Sequence, residues 1–92
     1  MINVVELSSL VKKQLKKLPT YIVLNFQNWV EDVETRGLEE VRKIFGYHDE
    51  PLRGELKGLR SIRLSRGYRA YYRVVDGLIK FVNVERIDKH EY

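Results

Sequence analysis

The sequence predicts an α+β domain, a helical hairpin laid on one face of a small, antiparallel-rich sheet in the order β-α-α-β-β-β. Three observations predict it. The apolar period changes from about 3.6 residues in the first half of the chain to 2 in the second. Pro19 separates two helical stripes with almost no connector. Asp76-Gly77 lies between two alternating runs, the strongest hairpin signal in the chain.

Residues 2–7 are short, β-branched and apolar, and read as a strand. Ser8 or Ser9 can cap the helix that follows, in which Leu10, Val11, Leu15 and Leu18 recur at helical spacing opposite Lys12, Lys13, Lys16 and Lys17, until Pro19 stops it. Residues 20–35 form a second helix with Ile22, Val23, Phe26, Trp29, Val30 and Val33 as its apolar stripe, and Gly37 suits its C-terminal cap. Residues 38–45 offer a further helical turn or two, and 46–58, with Pro51, Gly54 and Gly58, read as a loop. Residues 61–65 and 68–75 then alternate, with Arg66-Gly67 turning the chain between them. The last strand, 78–87, is expected to put Leu78, Lys80, Val82, Val84 and Arg86 on one side and Ile79, Phe81, Asn83, Glu85 and Ile87 on the other.

At 92 residues the chain fits one domain, 1–92. Its 17 Lys and Arg against 13 Asp and Glu give a net charge of +4, which points to a polyanionic or acidic partner, the plain alternative being simple solubility. There is no cysteine, so disulfides and thiolate metal sites are excluded and a reducing cytoplasm is the expected location. His48 and His90 lie far apart and form no metal-ligand pattern, no glycine loop of the phosphate-cradling type occurs, and no cofactor is expected. The N-terminus lacks the charge and long apolar run of a signal peptide, and no apolar run approaches the ~20 residues that cross a bilayer, so no membrane partner is expected.

One face of the sheet must meet the helices, which leaves the other for solvent or a ligand. If Ile62 and Leu64 face the core, Arg63 projects from the open face with Ser61 and Ser65. Arg69, Tyr71 and Arg73 point together on the next strand, and Arg69 joins Arg63 if the hairpin register allows it. Arg53, Lys57 and Arg60 lie just upstream, and Lys89, His90 and Tyr92 at the chain's end. Arginines near aromatics on a sheet face suit RNA, because guanidinium groups clasp phosphates and rings stack on unpaired bases. The competing reading is an ordinary solvated face, with Tyr68, Tyr71 and Tyr72 as packing residues.

The stretch Glu50-Pro51-Leu52-Arg53-Gly54-Glu55-Leu56-Lys57-Gly58-Leu59-Arg60-Ser61-Ile62-Arg63-Leu64, followed by Gly67-Tyr68-Arg69-Ala70-Tyr71-Tyr72-Arg73-Val74, resembles the RelE/ParE toxin superfamily, as does Lys16-Lys17-Leu18-Pro19. Within it the chain is most similar to the YoeB-like messenger-RNA interferases. The resemblance implies a RelE-like fold and a type II toxin that cuts messenger RNA, on the ribosome, by 2′-hydroxyl attack without a metal. It implies Glu50 as general base, Arg63 and Arg69 on the phosphate, His90 as general acid and Tyr92 as a ring near the substrate. One residue stands between His90 and Tyr92 where that branch has a His-Tyr pair. Arg53, Lys57, Arg60, Arg73 and Lys89 would assist in holding RNA. It also implies a cognate antitoxin, through an acidic segment, and messenger RNA with the ribosome as partners. Two rivals share the fold: a ParE-like inhibitor of DNA gyrase without nuclease activity, and a binding module with a decayed site.

Overall fold

The computed structural model describes residues 1–87. Strand β1 (Val4–Leu7) runs into helix α1 (Ser9–Leu15), α2 (Thr20–Arg36) and the single turn α3 (Leu38–Val41). A 3₁₀ turn (Phe45–Tyr47), the two-residue strand β2 (Glu50–Pro51) and a second 3₁₀ turn (Gly54–Leu56) lead to β3 (Arg60–Ser65), β4 (Tyr68–Val75) and β5 (Leu78–Arg86).

Ser8 caps α1, its hydroxyl accepting from the Val11 N–H at 3.1 Å. The helix ends at Leu15, earlier than the 3.6-residue stripe suggests, and Pro19 serves α2 instead. The Pro19 carbonyl accepts from the N–H groups of Ile22 and Val23, and its lack of an N–H costs nothing where no intrahelical partner exists. Gly37 closes α2 at φ 85°, where a Cβ would lie 2.5 Å from Met1 Cγ, so glycine is required twice over.

The sheet order is β1-β5-β4-β3-β2. The three long strands form the expected antiparallel meander, and β1 pairs in parallel with β5, Val4 opposite Leu78. Asp76 and Gly77 both adopt positive φ, 52° and 77°, as the tight hairpin demands. The segment read as a loop contains β2, which pairs Glu50 with Ser61 and Pro51 with Arg60. Two residues are too few to leave a period in the sequence.

The alternation expected over 78–87 breaks. Tyr71 pairs with Asn83 but Tyr72 with Phe81, so Val82 is left over as a bulge and the strand changes face across it. Phe81 and Val84 are therefore both buried, 1% and 7% exposed, although three residues apart. The helices and the covered face share one core of Val11, Ile22, Phe26, Trp29, Val33, Ile62, Ala70, Tyr72, Ile79 and Phe81. At its centre Phe81 meets Phe26 edge-on at 4.8 Å and Trp29 at 5.2 Å, and Trp29 meets Tyr72 at 5.5 Å. Such pairs add about 0.5–1.5 kcal/mol each beyond burial. No helix among the described residues is long and apolar enough to cross a membrane.

Candidate active site

Pairing of the strands decides which predicted residues meet. Arg63 on β3 lies directly opposite Arg69 on β4, and Arg69 lies opposite Glu85 on β5. One row away, Glu50, Ser61, Tyr71 and Asn83 stand across four successive strands. Arg69 and Ser61 are linked across the rows by a 3.5 Å contact from Nη1 to Oγ. Glu50, Arg63 and Arg69 are thus brought together on the uncovered face, Glu50 exposed and both arginines half-buried. Two like charges directly opposite each other on a sheet oppose folding. Neither guanidinium forms an ion pair among the described residues. Guanidinium groups so placed are donors from which an oxyanion can accept.

Arg60 is drawn elsewhere. By alternation it belongs to the helix side, and its Nε donates to Asp49 Oδ1 at 2.6 Å. The Asp49 side chain is fully buried and also accepts from the Tyr72 hydroxyl at 2.6 Å. Burial pulls the Arg60 guanidinium down, but the hydrogen bond and charge of Asp49 outweigh it and hold it above its ordinary value. Arg60, expected among the RNA contacts, is instead half of an internal ion pair. Arg53 and Lys57 are exposed in the loop between β2 and β3, which is closed by the Leu52 N–H donating to the Leu59 carbonyl at 2.9 Å. Arg73 is exposed two residues beyond Tyr71, opposite Lys80. Lys89, His90 and Tyr92 lie outside the described residues.

Three further residues belong to this face. The Tyr71 hydroxyl donates to Glu85 Oε2 at 2.7 Å. Burial, then Glu85, push its pKa up to about 12 against the opposing pull of Arg69, so it stays a neutral donor. With Leu56, Leu59, Val82 and Asn83 these two line a hollow of about 260 Å³. On the other side His48 places Nε2 3.2 Å from Arg63 Nη1. It does so from a left-handed backbone, φ 47°, which a residue other than glycine seldom adopts. The sequence alone gave His48 no role, since its contact with Arg63 depends on how the segment before β2 folds back.

The residues define a small basic sheet protein with opposed arginines on its open face. Residues 5–91 match the family model described as the ParE toxin of type II toxin-antitoxin systems, parDE. The chain belongs to this toxin family, within the RelE/ParE superfamily, and is a type II toxin-antitoxin toxin. A search of curated proteins returns no match. Among solved structures it resembles the RelBE2 toxin-antitoxin complex of Mycobacterium tuberculosis, with 25% identity, TM-score 0.64 and coverage of 94% of this chain and 99% of that one. It is similar to the archaeal RelE-RelB complex of Pyrococcus horikoshii OT3 at 24% identity and TM-score 0.68, covering 97% and 99%. It is also similar to the YoeB-YefM complex of Staphylococcus aureus at 20% identity and TM-score 0.71, covering 91% and 95%. All three were solved with an antitoxin, and the likenesses bear out the expected α+β fold.

Proposed function

We propose that this toxin is a messenger-RNA interferase, an endoribonuclease acting on translated RNA in the cytoplasm. The single observation that carries the reading is the opposition of Arg63 and Arg69 on an uncovered face, with Glu50 across Ser61 from them. Opposed arginines without an ion pair among the described residues suit a phosphate, whose oxygens accept from both guanidiniums. Glu50 takes the proton of a ribose 2′-hydroxyl, the 2′ oxygen bonds to the adjacent phosphorus, and the bond to the 5′ oxygen breaks. Arg63 and Arg69 neutralise the charge that develops on phosphorus. By its resemblance His90 returns a proton to the leaving 5′ oxygen and Tyr92 supplies a ring near the substrate, while Lys89, Arg53, Lys57 and Arg73 assist in holding the RNA. The side chains supply base, acid and charge themselves, and the step as drawn needs no metal. An antitoxin with an acidic segment, covering the basic face or the helices, restrains the toxin.

The test is induction of Arg69→Ala in cells. Growth arrest is lost while circular dichroism stays that of the parent. A folded Arg69→Ala chain that still arrests growth would defeat the assignment. His90→Ala slows single-turnover cleavage by roughly 10²–10⁴-fold, the usual worth of a general acid.

The match to a ParE model over 5–91 favours a second reading, inhibition of DNA gyrase without cleavage. Induced cells separate the two. The nuclease stops translation and leaves discrete cuts in messenger RNA, whereas a gyrase inhibitor changes DNA supercoiling first.

A further inference from the structure

Arg63 has a second environment. Besides facing Arg69, it forms one wall of a cleft of about 290 Å³, whose other walls include Asn25 and Asn28 of α2, Gly46, Tyr47 and Leu64. We propose that this cleft is a subsite for one unpaired nucleotide of the RNA, next to the scissile phosphate. Arg63 holds that nucleotide's phosphate and Asn28 reads its base. The inference rests on the nuclease reading and adds to it the source of base preference.

Five features of the chain lead there. Strand β2 pairs with β3 only at Arg60 and Ser61, so among the described residues the outer edge of β3 at Arg63 and Leu64 has no strand beside it. The Leu64 carbonyl on that edge accepts from Asn25 Nδ2 at 2.7 Å, which fixes the Asn25 amide and leaves its Oδ1 uncommitted among the described residues. Asn28, one turn further along α2, is exposed and presents both a donor and an acceptor at the same cleft. A side-chain amide matches a base edge in two hydrogen bonds, the pairing by which asparagine recognises adenine. Ile44 and Tyr47, both half-buried, line the cleft where the flat face of a base would lie. Finally, Arg63 Nη1 donates to His48 Nε2 at 3.2 Å, since a guanidinium has no acceptor, and so the guanidinium is tied to the turn that forms the cleft's rim. One side chain therefore belongs to both the arginine pair and the cleft, and a nucleotide bound in the cleft has its phosphate at the proposed active site.

Messenger RNA from cells expressing wild type or Asn28→Ala is mapped for cut sites, and the base composition is scored at each position around the cut. The wild type shows a preference at one position beside the cut, and in Asn28→Ala that preference falls by roughly 5- to 100-fold, the range of one good bidentate base contact. Cutting itself continues. An unchanged preference in Asn28→Ala overturns the subsite while leaving the nuclease reading intact. A folded Asn28→Ala chain that cuts nowhere also overturns it, because a base reader sets preference and not chemistry. Growth arrest by the wild type without any cut would defeat the nuclease reading, and the subsite with it.

Discussion

Arg60 and Arg63 lie three residues apart on β3, and strand alternation sends them to opposite sides of the sheet. Arg60 meets a fully buried carboxylate at 2.6 Å, and that carboxylate also holds the Tyr72 hydroxyl. Arg63 meets another arginine across the strand pair and a histidine at its tip. The same side chain is thus satisfied on one face and left with unspent positive charge on the other. Structure is bought on the covered side, while on the uncovered side the opposition of Arg63 and Arg69 is a cost to stability that a bound anion would offset. The two neighbouring tyrosines of β4 repeat the division: Tyr72 is buried on Asp49, and Tyr71 lies half-exposed on Glu85.

The largest test of this contrast is Asp49→Ala. It strips Arg60 and Tyr72 of their shared acceptor, and breaking a buried pair from one side costs about 3–5 kcal/mol. Because the Arg60 side chain keeps 24% of its exposure, the loss here is expected near the lower end, about 3 kcal/mol. Urea unfolding reads it as a lower midpoint with an unchanged slope. A midpoint unmoved by Asp49→Ala would show that the network is ornamental. Tyr72→Phe comes next. It removes one hydrogen bond to a charged acceptor in the core and should cost about 1.5–3 kcal/mol by the same measurement.

Arg63→Ala should go the other way: it relieves a repulsion directly across a strand pair, so stability of the free protein rises by about 0.2–1 kcal/mol while growth arrest is lost. In Arg69→Ala the same relief is offset by loss of the opposite charge of Glu85 on the other neighbouring strand, so stability stays about level while growth arrest is again lost. A loss of 2 kcal/mol or more, on the order of a buried hydrogen bond to charge, would mean that these arginines are structural like Arg60, and the distinction between the two faces would collapse.

How much of this was legible beforehand follows from the range of each signal. The α2 stripe was read correctly because Ile22, Phe26, Trp29 and Val33 carry the helical period within themselves, and all four are buried. The Asp76-Gly77 turn is likewise local. The side of Arg63 followed from its spacing to Ile62 and Leu64. The bulge at Val82 could not be read, since it is a property of how β5 meets β4 and leaves the strand's own pattern apparently regular. Asp49 and His48 were missed for a similar reason. Their partners, Arg60, Tyr72 and Arg63, lie 11 to 23 residues away, and only the fold of the intervening segment brings them together. The ion pair of Arg60 with Asp49 was not legible, because nothing local distinguishes an arginine with a buried acid from one without.

The smallest expected effect sharpens the comparison between the tyrosines. Tyr71→Phe, on the open face, should cost about 0.5 kcal/mol or less at neutral pH, at the weak end for a hydrogen bond. Its signature lies at alkaline pH. The folded-state pKa of Tyr71 is raised to about 12 from 10, so the folded chain holds this proton where the unfolded chain has begun to lose it. Stability contributed by the protonated phenol is fully present below pH 10 and is lost as pH rises through about 12. The variant has no such proton. Its deficit relative to the parent must therefore shrink as urea midpoints are measured from pH 9 towards 12. Tyr47, raised to about 12 by burial and then by Asp32, contributes equally to both curves and cancels in the difference. Parent and variant curves that stay parallel across this range would show that Glu85 does not hold the Tyr71 proton. The open face would then be less ordered around Arg69 than its hydrogen bonds imply.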